Sequence, residues 1–373
     1  MKFSVERDAL CDALQAIGGA VAANPTAPIL SNVLLEAGEG GLALTATNLD
    51  FAMGNTLAAA VEKEGSATLP LRKMASVCRA IDADSIDVEL LSAGTAVRLA
   101  GGGSLFRLTA LPAGDFPSLP IVEKSVAVEL PAAKFTSLLR QVDYAQSRDE
   151  HRQILNGIYF QLAEGTLTLV ATDGRRLARS CHRGAESGSG TLILPARSGA
   201  ELLRLLAEAD KVAFSFGNRQ VFFEVAYPED FARRRAFLVS KVVEGTYPNY
   251  RQVIPSVAEW RVALLREAFL SALQRAALVV SGAAPAVRLK FSENLVEIFA
   301  SSGDVGDAYE RVAAVSPGQR EAEISFNPKY LIDPLRALNC PEVFFEFRDH
   351  LSPGVLRADE DFLCVVMPLR AVA

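Results

Sequence analysis

Residues 194–206 read LPARSGAELLRLL, and the same shape occurs twice more, as LPLRKMASVCRAI over 69–81 and FNPKYLIDPLRAL over 326–338. Each is a short segment whose apolar positions recur three or four residues apart, the spacing of one helix face. The copies keep register. Leu69-Pro70-Leu71-Arg72 falls on Leu194-Pro195-Ala196-Arg197, an offset of 125 residues from 69 to 194. The same offset carries Ile29-Leu30-Ser31-Asn32 onto Ile154-Leu155-Asn156-Gly157, and Leu42, Leu44, Ala46 and Thr47 onto Leu167, Leu169, Ala171 and Thr172. One register held over so many positions marks an internal repeat.

A second amphipathic helix precedes each of these segments. Leu10, Ala13, Leu14 and Ile17 match Phe135, Leu138, Leu139 and Val142, and then Phe269, Ala272, Leu273 and Ala276, all at i, i+3, i+4, i+7. Alternating stretches such as 41–47, 166–172 and 288–300 lie between and after the helices, punctuated by Glu-Gly and Glu-Asn turns. The expected fold is therefore α+β, three repeats over 1–122, 123–255 and 256–373, each with two helices laid on one face of antiparallel sheet. Pro-rich turns close the first two, Asp115-Phe116-Pro117-Ser118-Leu119-Pro120 and Thr246-Tyr247-Pro248-Asn249-Tyr250, and the third copy is the most diverged.

The chain of 373 residues is 50% hydrophobic and 22% charged, which describes globular domains and excludes a disordered or fibrous class. MKFSVERD places Glu6, Arg7 and Asp8 where a leader needs an apolar core, and no uninterrupted apolar run approaches the ~18 residues of a membrane span. A soluble cytoplasmic chain with no membrane partner is expected, its five scattered cysteines (11, 78, 181, 340 and 364) reduced. Three unpaired histidines, His151, His182 and His350, offer no metal site. Gly101-Gly102-Gly103-Ser104 lacks the spacing and lysine of a phosphate loop. Asp173 in Ala171-Thr172-Asp173-Gly174 reads as a turn residue rather than a catalytic carboxylate. No catalytic residue, metal or cofactor is expected.

The net charge of −6 argues against a nucleic-acid binder unless charge is sorted by face. It is sorted on the repeated second helix. Residues seven apart share a helical face, and Arg72 with Arg79, Arg197 with Arg204, and Lys329 with Arg336 are such pairs at matching positions. Two readings stay open: phosphate contacts without sequence readout, or ion pairs on a solvated face, as Arg197, Glu201 and Arg204 are spaced to make. Recurrence in three copies argues for the first.

MKFSVER at the start, NPTAPILSN (24–32), LPAGDFPSLP (111–120), ILNGIYF (154–160), VATDGRRLA (170–178), GTYPNY (245–250) and VVMPLR (365–370) together resemble the bacterial DNA sliding clamp family, the β subunit of DNA polymerase III holoenzyme. The resemblance spans the whole chain in order. It implies a head-to-tail homodimer of three-domain protomers closing a six-domain ring, non-enzymatic, that encircles duplex DNA without sequence specificity. Its partners would be the replicative polymerase, the clamp loader and other proteins carrying clamp-binding peptides. The runner-up, a repeat-built enzyme or small-molecule binder with a site between repeats, is separable by thermal stabilisation with a metabolite.

The resemblance also assigns residues. Partner peptides would enter an apolar pocket matched here by Leu155, Thr172, Gly174, Arg175, Arg176, Leu177 and Pro248, by Gln252 and Val253, and by the run Val365, Val366, Met367, Pro368, Leu369 and Arg370. Leu155, Leu177, Val253, Val365 and Met367 would be its apolar walls. Pro368 is expected to end strand pairing and leave Met367 and Leu369 on a short mobile stretch. Lys73, Arg152 and Asn24 join the helix residues as DNA contacts, and Phe106 and Leu108 would meet Leu278 and Val279 of the second copy at the seam. Arg175, Gln252 and Asn24 stand where one relative in the family has histidine, arginine and a basic residue.

Overall fold

The computed structural model describes residues 1–22, 25–91, 94–119, 127–149, 151–185, 188–217, 219–229, 233–282, 285–316 and 321–369. The first repeat supplies strands β1 (Lys2–Glu6), β2 (Asn32–Gly38), β3 (Gly41–Thr47), β4 (Phe51–Leu57), β5 (Ala60–Lys63), β6 (Gly65–Pro70), β7 (Ser85–Leu90), β8 (Ala96–Gly101) and β9 (Ser104–Thr109), with helices α1 (Arg7–Ile17) and α2 (Leu71–Ala80). The second supplies β10 (Ala127–Pro131), β11 (Gly157–Ala163), β12 (Thr166–Thr172), β13 (Arg176–Arg183), β14 (Gly190–Pro195), β15 (Lys211–Phe216), β16 (Gln220–Ala226) and β17 (Arg233–Lys241), with α3 (Ala132–Arg140) and α4 (Ala196–Leu205). The third supplies β18 (Trp260–Leu265), β19 (Val287–Ser292), β20 (Leu295–Ser302), β21 (Gly306–Val315), β22 (Ala322–Phe326), β23 (Glu342–Phe347), β24 (Gly354–Arg357) and β25 (Phe362–Val366), with α5 (Arg266–Ala276) and α6 (Pro328–Ala337).

α1 and α5 form where the spacing put them, whereas α3 ends at Arg140 before Val142, and Leu69-Pro70 and Leu194-Pro195 close strands β6 and β14 ahead of their helices. Leu10, Ala13, Leu14 and Ile17 of α1 are fully buried, as are Phe269, Leu273 and Ala276 of α5. Helices of nine to eleven residues are marginal in isolation, so these are held by their apolar faces. α6 starts on Asn327, whose Oδ1 accepts the Lys329 N–H at 3.0 Å, with Pro328 in the first turn. The stretch 288–300 resolves into the hairpin β19–β20, turning at Glu293-Asn294 with Asn294 at φ +58°.

Two compact units result, described separately: residues 1–136 with 197–242, and 137–196 with 243–373. Among the described residues the first holds a five-stranded sheet, β5-β1-β7-β8-β9, and an eight-stranded one, β10-β15-β16-β17-β4-β3-β2-β6. The second holds a twelve-stranded sheet, β14-β11-β12-β13-β25-β24-β23-β18-β21-β20-β19-β22. All named pairings are antiparallel. The repeats do not keep their sheets to themselves. β4 of the first pairs with β17 of the second, and β13 of the second with β25 of the third, so each junction is a backbone ladder.

Free edges follow the same logic. β9 pairs with β8 alone, and the first half of β21 pairs with β20 alone, among the described residues. β4, β13 and β21 are equivalent strands of the three repeats, as are β9, β17 and β25. Two of the three equivalent pairings are made within the chain.

Candidate functional site

The turn joining β12 to β13 is built by its own side chains. Thr172 Oγ1 accepts the Gly174 N–H at 3.1 Å and donates to the Arg176 carbonyl at 2.6 Å. Asp173 Oδ1 accepts from the Arg175 and Arg176 amides at 2.9 and 3.0 Å, and Gly174 takes φ +86°. The carboxylate read as a turn device is spent on the turn.

Arg176 follows the turn and points inward. Its Nε lies 3.1 Å from Asp173 Oδ2, one terminal nitrogen 2.7 Å from Asp333 Oδ2, and the other donates to the Tyr144 carbonyl. Its guanidinium carbon also lies 5.4 Å and 4.7 Å from the Tyr144 and Tyr330 ring centres. With 7% of its surface exposed, it is a buried tie behind the turn.

Val365 and Val366 of the C-terminal run are shielded in the same way. β25 lies between β13 and β24 with all five residues buried, so it is an interior strand. Val366 has no exposed surface and Val365 almost none, and neither presents a wall to a ligand as the structure stands. Val365 packs with Leu177, Tyr247 and Tyr250 in a core against which Leu155 and Ile154 rest. Nor does the chain hang loose after the strand. The Met367 N–H reaches the Arg175 carbonyl at 2.9 Å and the Leu369 N–H reaches the Ser325 carbonyl at 2.8 Å. Pro368, which has no amide hydrogen, sits between the two anchors.

A hollow of about 380 Å³ opens beside Met367, lined by Gln252, Val253, Ile254, Pro255, Ser256, Val257, Arg348, Ser352 and Pro353. Val253 and Met367 are half-exposed here. The turn residues Gly174 and Arg175 and Pro248 are exposed, Thr172 and Leu155 half-buried, and Arg370 lies outside the described residues. Val257, Arg348 and Pro353 were not anticipated. They come from two loops far apart in the chain, and no periodicity marks them. Arg348 also lines a second hollow of about 540 Å³ that includes Trp260, Ser325 and Leu369.

On the repeated helices Arg72, Lys73, Arg79, Arg197, Arg204, Lys329 and Arg336 are all exposed, as is Arg152, while Asn24 lies outside the described residues. The two readings of their charge divide by residue. Arg204 pairs with Glu201 at 3.2 Å, Lys329 with Asp333 at 2.9 Å, and Arg152 with Asp149 at 3.6 Å. Arg197 does not pair with Glu201; it donates to the Gly19 carbonyl at 3.1 Å and lies over the Phe51 ring. Among the described residues Arg72, Lys73 and Arg79 make no ion pair. On the free strand β9, Phe106 and Leu108 are half-buried beside an exposed Leu105, and Leu278 after α5 is 80% exposed with Val279 half-buried.

Profiles of the DNA polymerase III beta subunit match the chain from end to end: the N-terminal domain over residues 1–120, the central domain over 129–249 and the C-terminal domain over 251–370. The chain belongs to the DNA polymerase III beta subunit family. It is 33% identical to the beta sliding clamp of Escherichia coli K12, over 99% of this chain and 100% of that one, and 33% identical to that of Salmonella typhimurium with the same coverage. In fold it matches the Bacillus subtilis DNA polymerase sliding clamp with a TM-score of 0.92 at 26% identity, covering 100% of this chain and 99% of the other. The Pseudomonas aeruginosa clamp bound to griselimycin matches with a TM-score of 0.90 at 31% identity, covering 99% of each. The beta sliding clamps are DNA polymerase processivity factors, not enzymes, and three clamp domains make up this chain. A repeat-built enzyme is not favoured by any of these relations. Among the described residues no helix is long and apolar enough to cross a membrane.

Proposed function

We propose that the chain is one half of a closed ring that encircles duplex DNA in the cytoplasm and holds the replicative polymerase, the clamp loader and other partners by short peptides seated at the Met367 hollow. One observation carries the ring: β4–β17 and β13–β25 are paired within the chain, and the third equivalent pair, β21 with β9, is left open at both strands. A second copy placed head to tail completes it twice, and a heterologous contact that closes after two copies covers β9 and the open half of β21 in both copies. Phe106 and Leu108 then meet Leu278 and Val279 across the seam.

The second helices line the channel in this reading. Arg72, Lys73, Arg79, Arg152, Arg197, Arg204, Lys329 and Arg336, with Asn24, contact phosphates, which gives the acidic chain a basic lining. Linkage rather than affinity keeps such a ring on DNA, so modest contacts suffice. The hollow by Val253, Gln252 and Met367 takes the apolar end of a peptide; the Thr172–Arg176 turn holds Met367 through the Arg175 carbonyl, and Leu155, Leu177, Pro248, Val365, Val366, Pro368, Leu369 and Arg370 join the site on the family resemblance. The three repeats divide near 122 and 255. The test is solution mass together with retention on DNA after loading. A stable dimer that stays on circular DNA and slides off when the circle is cut is expected; a monomer, or equal loss from both, refutes the ring.

A further inference from the structure

Asp333 of α6 accepts from two cations at once. Its Oδ1 lies 3.0 Å from Lys329 Nζ, and its Oδ2 lies 2.9 Å from the same ammonium and 2.7 Å from Arg176. Arg176 carries the contact on to Asp173 at 3.1 Å, and Asp173 fixes the amides of Arg175 and Arg176. Charge therefore alternates without a break from Lys329 to the turn whose Arg175 carbonyl holds Met367. The inner members are shielded, with 7% of Arg176 and 10% of the Asp333 side chain exposed, so salt screens them little. Lys329, at 56%, is open to a competing anion.

We propose that Asp333 is a positioning residue for the peptide hollow, and that through it a phosphate drawing Lys329 away tightens the hollow's hold on peptide. The inference rests on the clamp reading above. While Lys329 is engaged, the Asp333 carboxylate is divided between two cations. Once the ammonium turns to a phosphate, Asp333 serves Arg176 alone and the Thr172–Arg176 turn is held more firmly. That turn holds Met367, which lines the hollow, and a lining residue already ordered binds peptide at lower entropic cost. The coupling is reciprocal, so bound peptide also favours the DNA-facing state of Lys329. Because Lys329 is exposed, the expected effect is small, about two- to fivefold.

The experiment measures binding of a fluorescent Gln-containing pentapeptide ending in two hydrophobic residues to the full chain, with and without a short duplex at low salt. In the parent protein the duplex tightens peptide binding about two- to fivefold. Lys329→Gln shows that tightened affinity without duplex and no further response. Asp333→Asn moves the other way, about tenfold weaker, and does not respond to duplex. Lys329→Gln touches only an exposed side chain and reports even if Asp333→Asn unfolds. An Asp333 that served packing alone would leave Lys329→Gln with parental affinity. That result, or a duplex that leaves peptide affinity unchanged or weakens it, overturns the coupling while the clamp reading stands; a parent protein that takes no such peptide overturns both.

Discussion

Arg176 in β13 and Asp333 in α6 meet at 2.7 Å although 157 residues separate them, and both are almost wholly shielded from water. A buried pair of this kind adds little net stability over an apolar substitute, but breaking it strands the remaining charge. Arg176→Ala leaves Asp333 and Asp173 in want of their partner and should cost about 3–5 kcal/mol, read as a lowered melting midpoint. Arg176→Lys keeps charge but loses the planar fork that serves Asp173, Asp333 and Tyr144 together, so it should fall between. A melt unchanged by Arg176→Ala would show the pair to be solvent-compensated.

The exposed basic residues differ in how free they are to meet phosphate. Removing Arg72, Lys73 and Arg79, which make no ion pair among the described residues, should lower the slope of log affinity against log salt by roughly 0.9 for every phosphate no longer neutralised. Arg204→Ala should lower it less, since Glu201 already neutralises part of that charge. Titration of duplex at several salt concentrations separates them, and equal slopes for all variants would contradict the assignment.

At the seam, Leu278→Asn with Val279→Asn should yield folded monomers by sedimentation. Leu278 is 80% exposed in the lone protomer, so polarity there costs the protomer nothing. Burial against a second copy is another matter, where truncating each large aliphatic side chain costs about 2–5 kcal/mol. A dimer of unaltered dissociation constant would be decisive against these residues.

Neighbours in the terminal run should separate cleanly. Val366 is wholly buried in an interior strand, so Val366→Ala should lower the melting midpoint with a cost of about 1–2 kcal/mol and leave peptide affinity nearly unchanged. Met367 is 44% exposed beside the hollow, so Met367→Ala should leave the melt alone and weaken peptide by about 1–2 kcal/mol. Paired melts and peptide titrations decide, and the reverse pattern would relocate the pocket.

Burial holds the Asp143 carboxyl above the ordinary carboxylate range, and the like charge of Asp333 pushes the same way. The folded state therefore holds this proton more tightly than the unfolded chain does. Stability from this group is present at low pH and lost as pH rises through the window just above the ordinary value. Asp143→Asn should accordingly melt higher than the parent at pH 7 and equally at pH 4. A variant less stable at both would mean that the ionised carboxylate is needed where it stands.

Much of the fold was legible because local chemistry decides it. The i, i+3, i+4, i+7 sets in α1 and α5 are buried as spaced, and Asp173-Gly174 is a turn because an Asx side chain and a positive φ suffice to make one. What the residues alone did not reveal depends on partners far along the chain. Val365 and Val366 are buried because β13 and β24 flank their strand. Arg176 is buried because Asp333, Tyr144 and Tyr330 close around it. The hollow's rim at Val257, Arg348 and Pro353 joins loops whose meeting has no sequence period.

The ladders that join the repeats also set a timetable for synthesis. β13 is complete at Arg183, yet its partner β25 begins at Phe362, and β4 likewise waits for β17 from Leu57 to Arg233. At ~5–20 residues per second each strand emerges from the ribosome roughly 10–40 s before the strand that covers it. For that interval the nascent chain shows strands with one unpaired edge, open to pairing with the same strand on a neighbouring polysome. β13 is covered only once Phe362–Val366 has been made, so a chain stalled before Phe362 is left with β13 bare.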